Sequence, residues 1–545
     1  MNNGTNYTPN GVPPVQNTQG VPNPPPGYAP VPPQYPPPGY VQPRRQYSFA
    51  QKMLAFFMVL FGWFYMRVFL FEDANIGKTV FVFALLAVSA AYVAHTGVRP
   101  GAAAVCAALV TAVLSLGFML GLSGGISFLL AVVCQLGYTY FVYKSYDTSI
   151  EKSPGRFFDF DLARAVFIAP FASFGSVFPA LFSTSGEKNK RVSKKLGLIL
   201  LGLLISVVPT VIVVRLLSYD SHFTTLLDQV TGVDLLEGSA FSHFAALILG
   251  LPVAMYMYGL WTSCTFKVCR PATAQSCAQS REKARILPQI LALAAVTPIL
   301  FVYTIFFISQ IGSYTAAFSG LLPQGYTYAE YARTGFFELC AVMVINLIMT
   351  GLLFLLVKKS GRNGIARIYT ALISIFTLIL AVTAAAKMML YVAEYGLTLR
   401  RVCTLWFMMT MALIFTALLL ESILPKLPLV PVTLTVLVVM FGALVLSNTP
   451  VRVSQFNAEQ ILSGADWKLD EEYFWQLGDA GVPEAVRLEK AERVNAQTRR
   501  SAAEFLDDYE EYKLAEKPML SEYSLARIRA EQALKSREPY GGAEE

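Results

Sequence analysis

Charge is what this 545-residue sequence has least of. Charged residues make up 14% of it, against about a quarter in soluble domains. Histidine is scarcer still, with only His95, His222 and His243, which argues against a metal site built on imidazoles. The seven cysteines are an odd number, and Cys106, Cys134 and Cys340 sit inside apolar runs. That excludes a disulfide framework. Cys264, Cys269 and Cys277 share one loop without a CxxC pair or a nearby histidine, so no metal is expected there either. Also missing are a phosphate-binding GK[ST] loop, GxSxG, HExxH and the kinase signatures. An ATP-driven pump or a hydrolase of soluble type is thereby disfavoured, and no cofactor is expected.

What replaces charge is hydrocarbon. Hydrophobic residues reach 54% and the mean hydropathy is +0.49. Apolar runs occur at 53–71, 79–94, 102–122, 126–143, 196–214, 244–261, 287–308, 336–357, 368–390, 402–420 and 429–446. Most match the ~17–25 residues that carry a helix across the hydrocarbon layer. Lipid cannot satisfy an open backbone, and no run alternates as a barrel strand would. The expectation is an all-α, polytopic membrane protein of about eleven spans, with the lipid bilayer as its solvent.

The formal charge of +7 conceals two halves of opposite sign. From Val451 onward there are 13 basic and 20 acidic residues; the remainder holds 30 basic and 16 acidic. The basic excess lies in short loops beside the spans, where the positive-inside rule accounts for it without a nucleic-acid partner. One set of loops holds Arg44, Arg45, Lys188, Lys190, Arg191, Lys267, Arg270, Arg281, Lys358 and Lys359. The other holds little more than Lys78, Arg215, Arg333, Arg400 and Arg401. This asymmetry predicts a cytoplasmic N-terminus, and an odd span count then puts the C-terminal end outside.

Residues 1–48 read as a disordered cytoplasmic tail. Fourteen of the 31 prolines fall before residue 46, a composition that cannot bury a core. The tail is a solubilising leader or a docking arm for a protein partner. No signal-peptide pattern opens the chain, so the first span should act as an uncleaved anchor. The membrane domain covers 49–447. Within it, 165–183 is apolar but flanked by basic clusters on both sides. Phe167, Phe171, Phe174, Phe178 and Phe182 form one helical stripe there, predicting an interfacial or re-entrant helix rather than a span. Residues 448–537 read as an extracytoplasmic helical domain, and 538–545 as a disordered end. Asp470 before Glu471 and Glu472, and Val482 before Pro483, look like helix starts. Tyr473, Phe474, Trp475 and Leu477 would supply its core.

Ionisable groups in spans are costly and default to functional candidates. Lys387 lies near the outer end of its span, with Glu394 seven residues on along the same face; a lysine that snorkels to the interface is the plainer reading. Arg67 and Glu421 are similar. Before the eighth span, Glu330 and Arg333 can pair at helical spacing, and Tyr328 and Tyr331 suit the aromatic belt. Glu338 follows. On the same side, Gly396 can close one helix and Thr398 start the next. Arg401, beside Tyr395, then stands where the charge rule disfavours it and needs an acidic or anionic partner. The candidate cluster is Glu330, Tyr331, Arg333, Glu338, Lys387, Glu394, Tyr395 and Arg401.

The run Tyr331-Ala332-Arg333-Thr334-Gly335-Phe336-Phe337-Glu338-Leu339 with Asn346 resembles a bacterial multi-pass family. So do Tyr395-Gly396-Leu397-Thr398 with Arg401, Gln455-Phe456-Asn457, and Leu477-Gly478-Asp479-Ala480-Gly481-Val482-Pro483. The family is domain of unknown function 4173, akin to 4153. The resemblance implies a bacterial plasma membrane and carries no activity or catalytic residues. The leading expectation is a non-enzymatic sensor, scaffold or envelope-associated protein working at its outer face. A transporter or channel using Lys387, Glu394 and Arg67 is the alternative. A lipid-modifying enzyme using Glu330 or Glu338 comes third.

Overall fold

The computed structural model describes residues 46–71, 75–122, 124–146, 148–182, 239–269, 272–319, 336–358, 363–513 and 521–537, with residues 202 and 213 singly. The tail before residue 46, the apolar run 196–214 apart from those two residues, and Glu330, Tyr331 and Arg333 lie outside them. Among the described residues every regular element is helical. Ten helices among those residues are long and apolar enough to cross a membrane, and they coincide with ten of the eleven runs read from the sequence.

The first group comprises α1 (Phe49–Met66), α2 (Asn75–His95), α3 (Ala102–Met119) and α4 (Gly124–Ser145). Ser48 starts α1 with a capping box: its hydroxyl accepts from the Gln51 amide, and the Gln51 side chain accepts from the Ser48 N–H, so orphan amides are satisfied at both partners. Three short pieces follow, α5 (Phe158–Ala163), α6 (Ala169–Ala172) and α7 (Val177–Phe182). Beyond them α8 (Ser239–Thr265) runs antiparallel to α1, since Arg67 donates to Ser242 (2.8 Å) at one end and Tyr258 donates to the Gln51 carbonyl (3.2 Å) at the other. Gly62 and Gly250 meet at their crossing, where a Cβ on either would strike the other's backbone. Small residues admit this close approach, which replaces the hydrophobic drive that lipid abolishes.

The pieces α5 to α7 correct the expected phenylalanine stripe. A π-turn at Arg164–Ile168 and a 50° bend break the helix around Pro170 and Ser173. Phe167 and Phe171 are exposed, while Phe174 and Phe178 pack on the bundle core. The segment is not one straight helix. It starts beside Tyr140, whose ring meets Phe158, and descends to where Tyr256 donates to the Val166 carbonyl. It then climbs past Gly259 to Ser176, which donates to Thr262. Entry and return lie at the same end of α4 and α8, which makes a re-entrant hairpin. A buried ion pair, Lys144 with Asp161 at 3.2 Å, holds its base. Helix α9 (Ala274–Ala284) clasps the same base through Arg281, which donates to both oxygens of Asp159 at 2.7 Å.

The second group is α10 (Gln289–Ser319), α11 (Phe336–Leu356), α12 (Asn363–Tyr395), α13 (Leu399–Ile423) and α14 (Leu429–Leu446). Its interior holds a polar knot. Asn346 is fully buried, accepts from the Tyr303 hydroxyl at 2.6 Å and donates to Thr377 at 2.9 Å. Helix α14 touches both groups, for Val445 fills the space above Gly117 of α3, and Trp406 of α13 donates to the Met440 carbonyl.

The chain ends in α15 (Thr449–Leu462), α16 (Glu471–Leu477), α17 (Val482–Lys490), α18 (Ala496–Lys513) and α19 (Leu525–Leu534). Asp470 caps α16 by accepting from the Tyr473 amide, and Pro483 sits in the first turn of α17, as the sequence predicts. The core is Phe474 stacked on Phe505 with Leu506, Tyr509 and Leu477. Trp475 stands at its rim, edge-on to Phe505, with its indole N–H donated to Glu471. Arg537 closes the unit by donating to Glu489, Asp507 and Glu510. These helices lie at the opposite end of the bundle from the start of α1. The Ile76 and Gly77 amides of α2 donate to the Tyr523 and Ser521 carbonyls, and Gly121 after α3 abuts Ser524 and Ala526.

Candidate functional site at the helical cap

Helix α12 ends in the run Tyr395-Gly396-Leu397-Thr398. Gly396 adopts φ +75° and its N–H donates to the Val392 carbonyl at 2.8 Å, closing the helix in the left-handed geometry that glycine tolerates. Thr398 caps α13 by accepting from the Arg401 amide at 3.3 Å. The Arg401 guanidinium turns back to donate to the Tyr395 carbonyl at 2.9 Å and to the Gly396 carbonyl, and lies 4.1 Å from the centre of the Tyr391 ring. The sequence called for an acidic or anionic partner. Here the partners are the orphan carbonyls and negative dipole end of α12, plus an aromatic face.

Asn457 of α15 completes the junction. Fully buried, its Oδ1 accepts from the Leu397 amide at 2.7 Å, and its Nδ2 donates to the Leu397 carbonyl at 2.7 Å and to the Tyr473 hydroxyl at 2.8 Å. The side-chain amide thus pairs with a peptide group as a neighbouring strand would. Gly396 is needed a second time: a Cβ there would stand 2.9 Å from Asn457 Oδ1 and 3.0 Å from the Trp467 ring. Burial pushes the Tyr473 hydroxyl pKa up; the bond from Asn457 opposes this and the Glu484 charge adds to it. At the far side of the cap, Asp479 accepts from the Tyr509 hydroxyl at 2.9 Å.

The expected cluster is only partly assembled. Tyr395 and Arg401 meet at the junction, where the Tyr395 ring packs against Tyr391. Glu394 is exposed on the last turn of α12 and Glu338 exposed on the first turn of α11. Lys387 is buried, two turns before Glu394, which the helical rise sets about 10 Å further along the axis. Arg67 is buried against Ser242. Asn457 and Tyr473 were not among the candidates, being neutral and therefore invisible to a search for charge within spans. The polar atoms at the junction are directed at backbone groups and at Tyr473. Such an arrangement positions helices.

Ten apolar helices among the described residues, with a helical domain capping them, define an all-α polytopic membrane protein. The family model of the Domain of unknown function (DUF4153) matches residues 101–488, more than half the chain, and the protein belongs to that family. The match runs from α3 into α17 and takes in the whole junction of Gly396, Leu397, Arg401 and Asn457. No curated protein and no solved structure matches the chain.

Proposed function

We propose that this protein is a non-enzymatic scaffold or sensor of a bacterial envelope, working at the end that carries the helical cap. Its N-terminus and basic loops face the cytoplasm, and the acidic cap faces outward. The two-way pairing of Asn457 with Leu397 carries this reading. It fastens the cap to the second group of spans, while Tyr523 and Ser521 fasten it to the first through α2. A domain tied to both groups responds to any movement of one against the other, which is how interface shifts are relayed. A protein partner would meet either this cap or the proline-rich tail.

The orientation rests on charge. Lys152, Arg156, Arg281, Lys283 and Lys358 gather at the end where α1 begins, as the positive-inside rule requires of a cytoplasmic face. In a cysteine-free background, an impermeant thiol reagent applied to intact cells should label Ser463→Cys on the cap and not Ser280→Cys on α9. The reverse pattern overturns it. For the function, Asn457→Ala should reproduce the envelope phenotype of losing the whole protein while the variant still reaches the membrane.

Transport is the second reading, favoured by the hairpin of α5 to α7 that enters the bundle and returns. Flux of an ion or small solute into proteoliposomes, abolished by Lys387→Ala, would decide for it.

A further inference from the structure

The first group of helices holds a crevice that the cap junction does not use. It runs along α4 from Gly124 to Leu136, faces Tyr65, Phe69 and Leu70 at the end of α1, and stops at Val166 and Phe167, the tip of the hairpin. Its volume is about 620 Å³. The stretch of α4 that lines it rises about 18 Å, somewhat more than half of a hydrocarbon layer of ~30 Å. The crevice therefore serves one leaflet, the one on the cap's side, and the hairpin is its floor.

Its mouth opens sideways. Leu70, Phe128 and Phe167 around it are 68%, 73% and 68% exposed, so the surrounding medium is hydrocarbon. Its interior is not purely apolar. Lys78 lines the shallow end near Ser127, Tyr65 stands deeper, and Gln135 deepest. Among the described residues, none gives the Tyr65 hydroxyl, the Ser127 hydroxyl or the Gln135 amide a hydrogen bond. A polar group left unpaired at this depth is destabilising by several kcal/mol, so each calls for a partner. These three groups can donate, and Lys78 adds positive charge at the shallow end. The complementary molecule is rich in acceptors and attached to a hydrocarbon chain.

We propose that the crevice is a binding site for one glycerophospholipid of the cap-side leaflet. Its acyl chain lies along α4 between Ala131 and the hairpin tip. The phosphate lies toward Lys78 and Ser127, an ester carbonyl is drawn inward toward Tyr65, and the acyl chain continues from it down α4. The lipid sits deeper than its neighbours in the leaflet because the hairpin leaves the space and the donors supply the bonds that bulk hydrocarbon lacks.

The test uses the full chain in liposomes containing a phosphatidylglycerol with a photoactivatable diazirine on its acyl chain. After irradiation and digestion, adducts should be several-fold enriched on residues 124–136 and 166–167 over Phe301 and Val302 of α10, which are comparably exposed but are not among the residues that line the crevice. Ala131→Trp should fill the space and remove the enrichment, and Val132→Phe at the rim gives a milder version should the first not fold. Tyr65→Phe, which removes the hydroxyl and keeps the ring, should weaken labelling with the fold intact. Equal labelling of α10 and the crevice, or enrichment that survives both filling variants, overturns the proposal. So does reaction of Ala131→Cys with a charged, water-soluble thiol reagent, because that outcome describes a water-filled path instead.

Discussion

A side-chain amide carries the same donor and acceptor as a peptide group, which lets one asparagine close what would otherwise need a strand. Asn457 does this for Leu397, and Gly396 makes room for it. Asn457→Ala would leave a buried N–H and a buried C=O without partners, a loss of about 2–3 kcal/mol. The expected outcome is a lower melting midpoint and faster proteolysis within residues 449–537, with the spans still inserted. Asn457→Asp keeps the acceptor but turns a carboxyl oxygen toward the Leu397 carbonyl in a fully buried site, so it should destabilise at least as much as Ala. The importance of Gly396 and the capping by Thr398 were legible in the sequence, because each follows from local chain geometry. The partner of Gly396 was not, since Asn457 is 60 residues away and periodicity carries no information about such a contact.

At the scale of elements, the re-entrant hairpin shows how a regular pattern misleads. Phenylalanines spaced by 3 and 4 predict a continuous stripe, yet the backbone bends by 50° at Ser173, leaving Phe167 and Phe171 exposed and Phe174 and Phe178 packed on the core. What fixes the hairpin is the smallness of Gly259 on α8. A Cβ there would collide with the Pro170 carbonyl and stand 3.2 Å from the Phe174 Cα and from the Ser173 carbonyl oxygen. Gly259→Leu should displace the hairpin, at about 1–3 kcal/mol by the usual penalty for overpacking. Amide exchange in 158–182 should rise sharply while the α1–α8 crossing at Gly62 and Gly250 stays protected; unchanged protection would refute the assignment. The ion pair at the base also differs from a surface pair. Both Lys144 and Asp161 are buried, so removing one partner by Asp161→Asn leaves an uncompensated cation and should destabilise by about 3–5 kcal/mol, measured as loss of folded protein in detergent.

At the scale of the whole molecule, the cap has a titration of its own. Burial pushes the Tyr473 and Tyr509 hydroxyls above the ordinary tyrosine value, with the Asp479 carboxylate adding to the second. A raised folded pKa means that the native cap keeps these protons where the unfolded chain releases them. Stability is therefore fully present below pH ~10 and declines as pH rises beyond it. The cap's melting midpoint should drop above that pH, with tyrosinate absorbance appearing at unfolding, and Tyr509→Phe should flatten the decline. A midpoint independent of pH in that range would contradict the burial of both hydroxyls.

The sequence by itself determined the solvent and the secondary structure. Runs such as 336–357 and 429–446 have no alternative to a spanning helix once lipid surrounds them, because an unpaired backbone is intolerable there. It also determined the caps at Asp470 and Thr398, which depend on the next three residues alone. Tertiary structure decided the rest. It chose carbonyls and Tyr391 for Arg401, folded 158–182 back on itself, left a crevice between α1 and α4, and laid the cap across both groups of spans. These outcomes turn on which small residue meets which backbone, as at Gly62 with Gly250, Gly259 with Pro170 and Gly396 with Asn457. The identity of one glycine does not name the surface it admits.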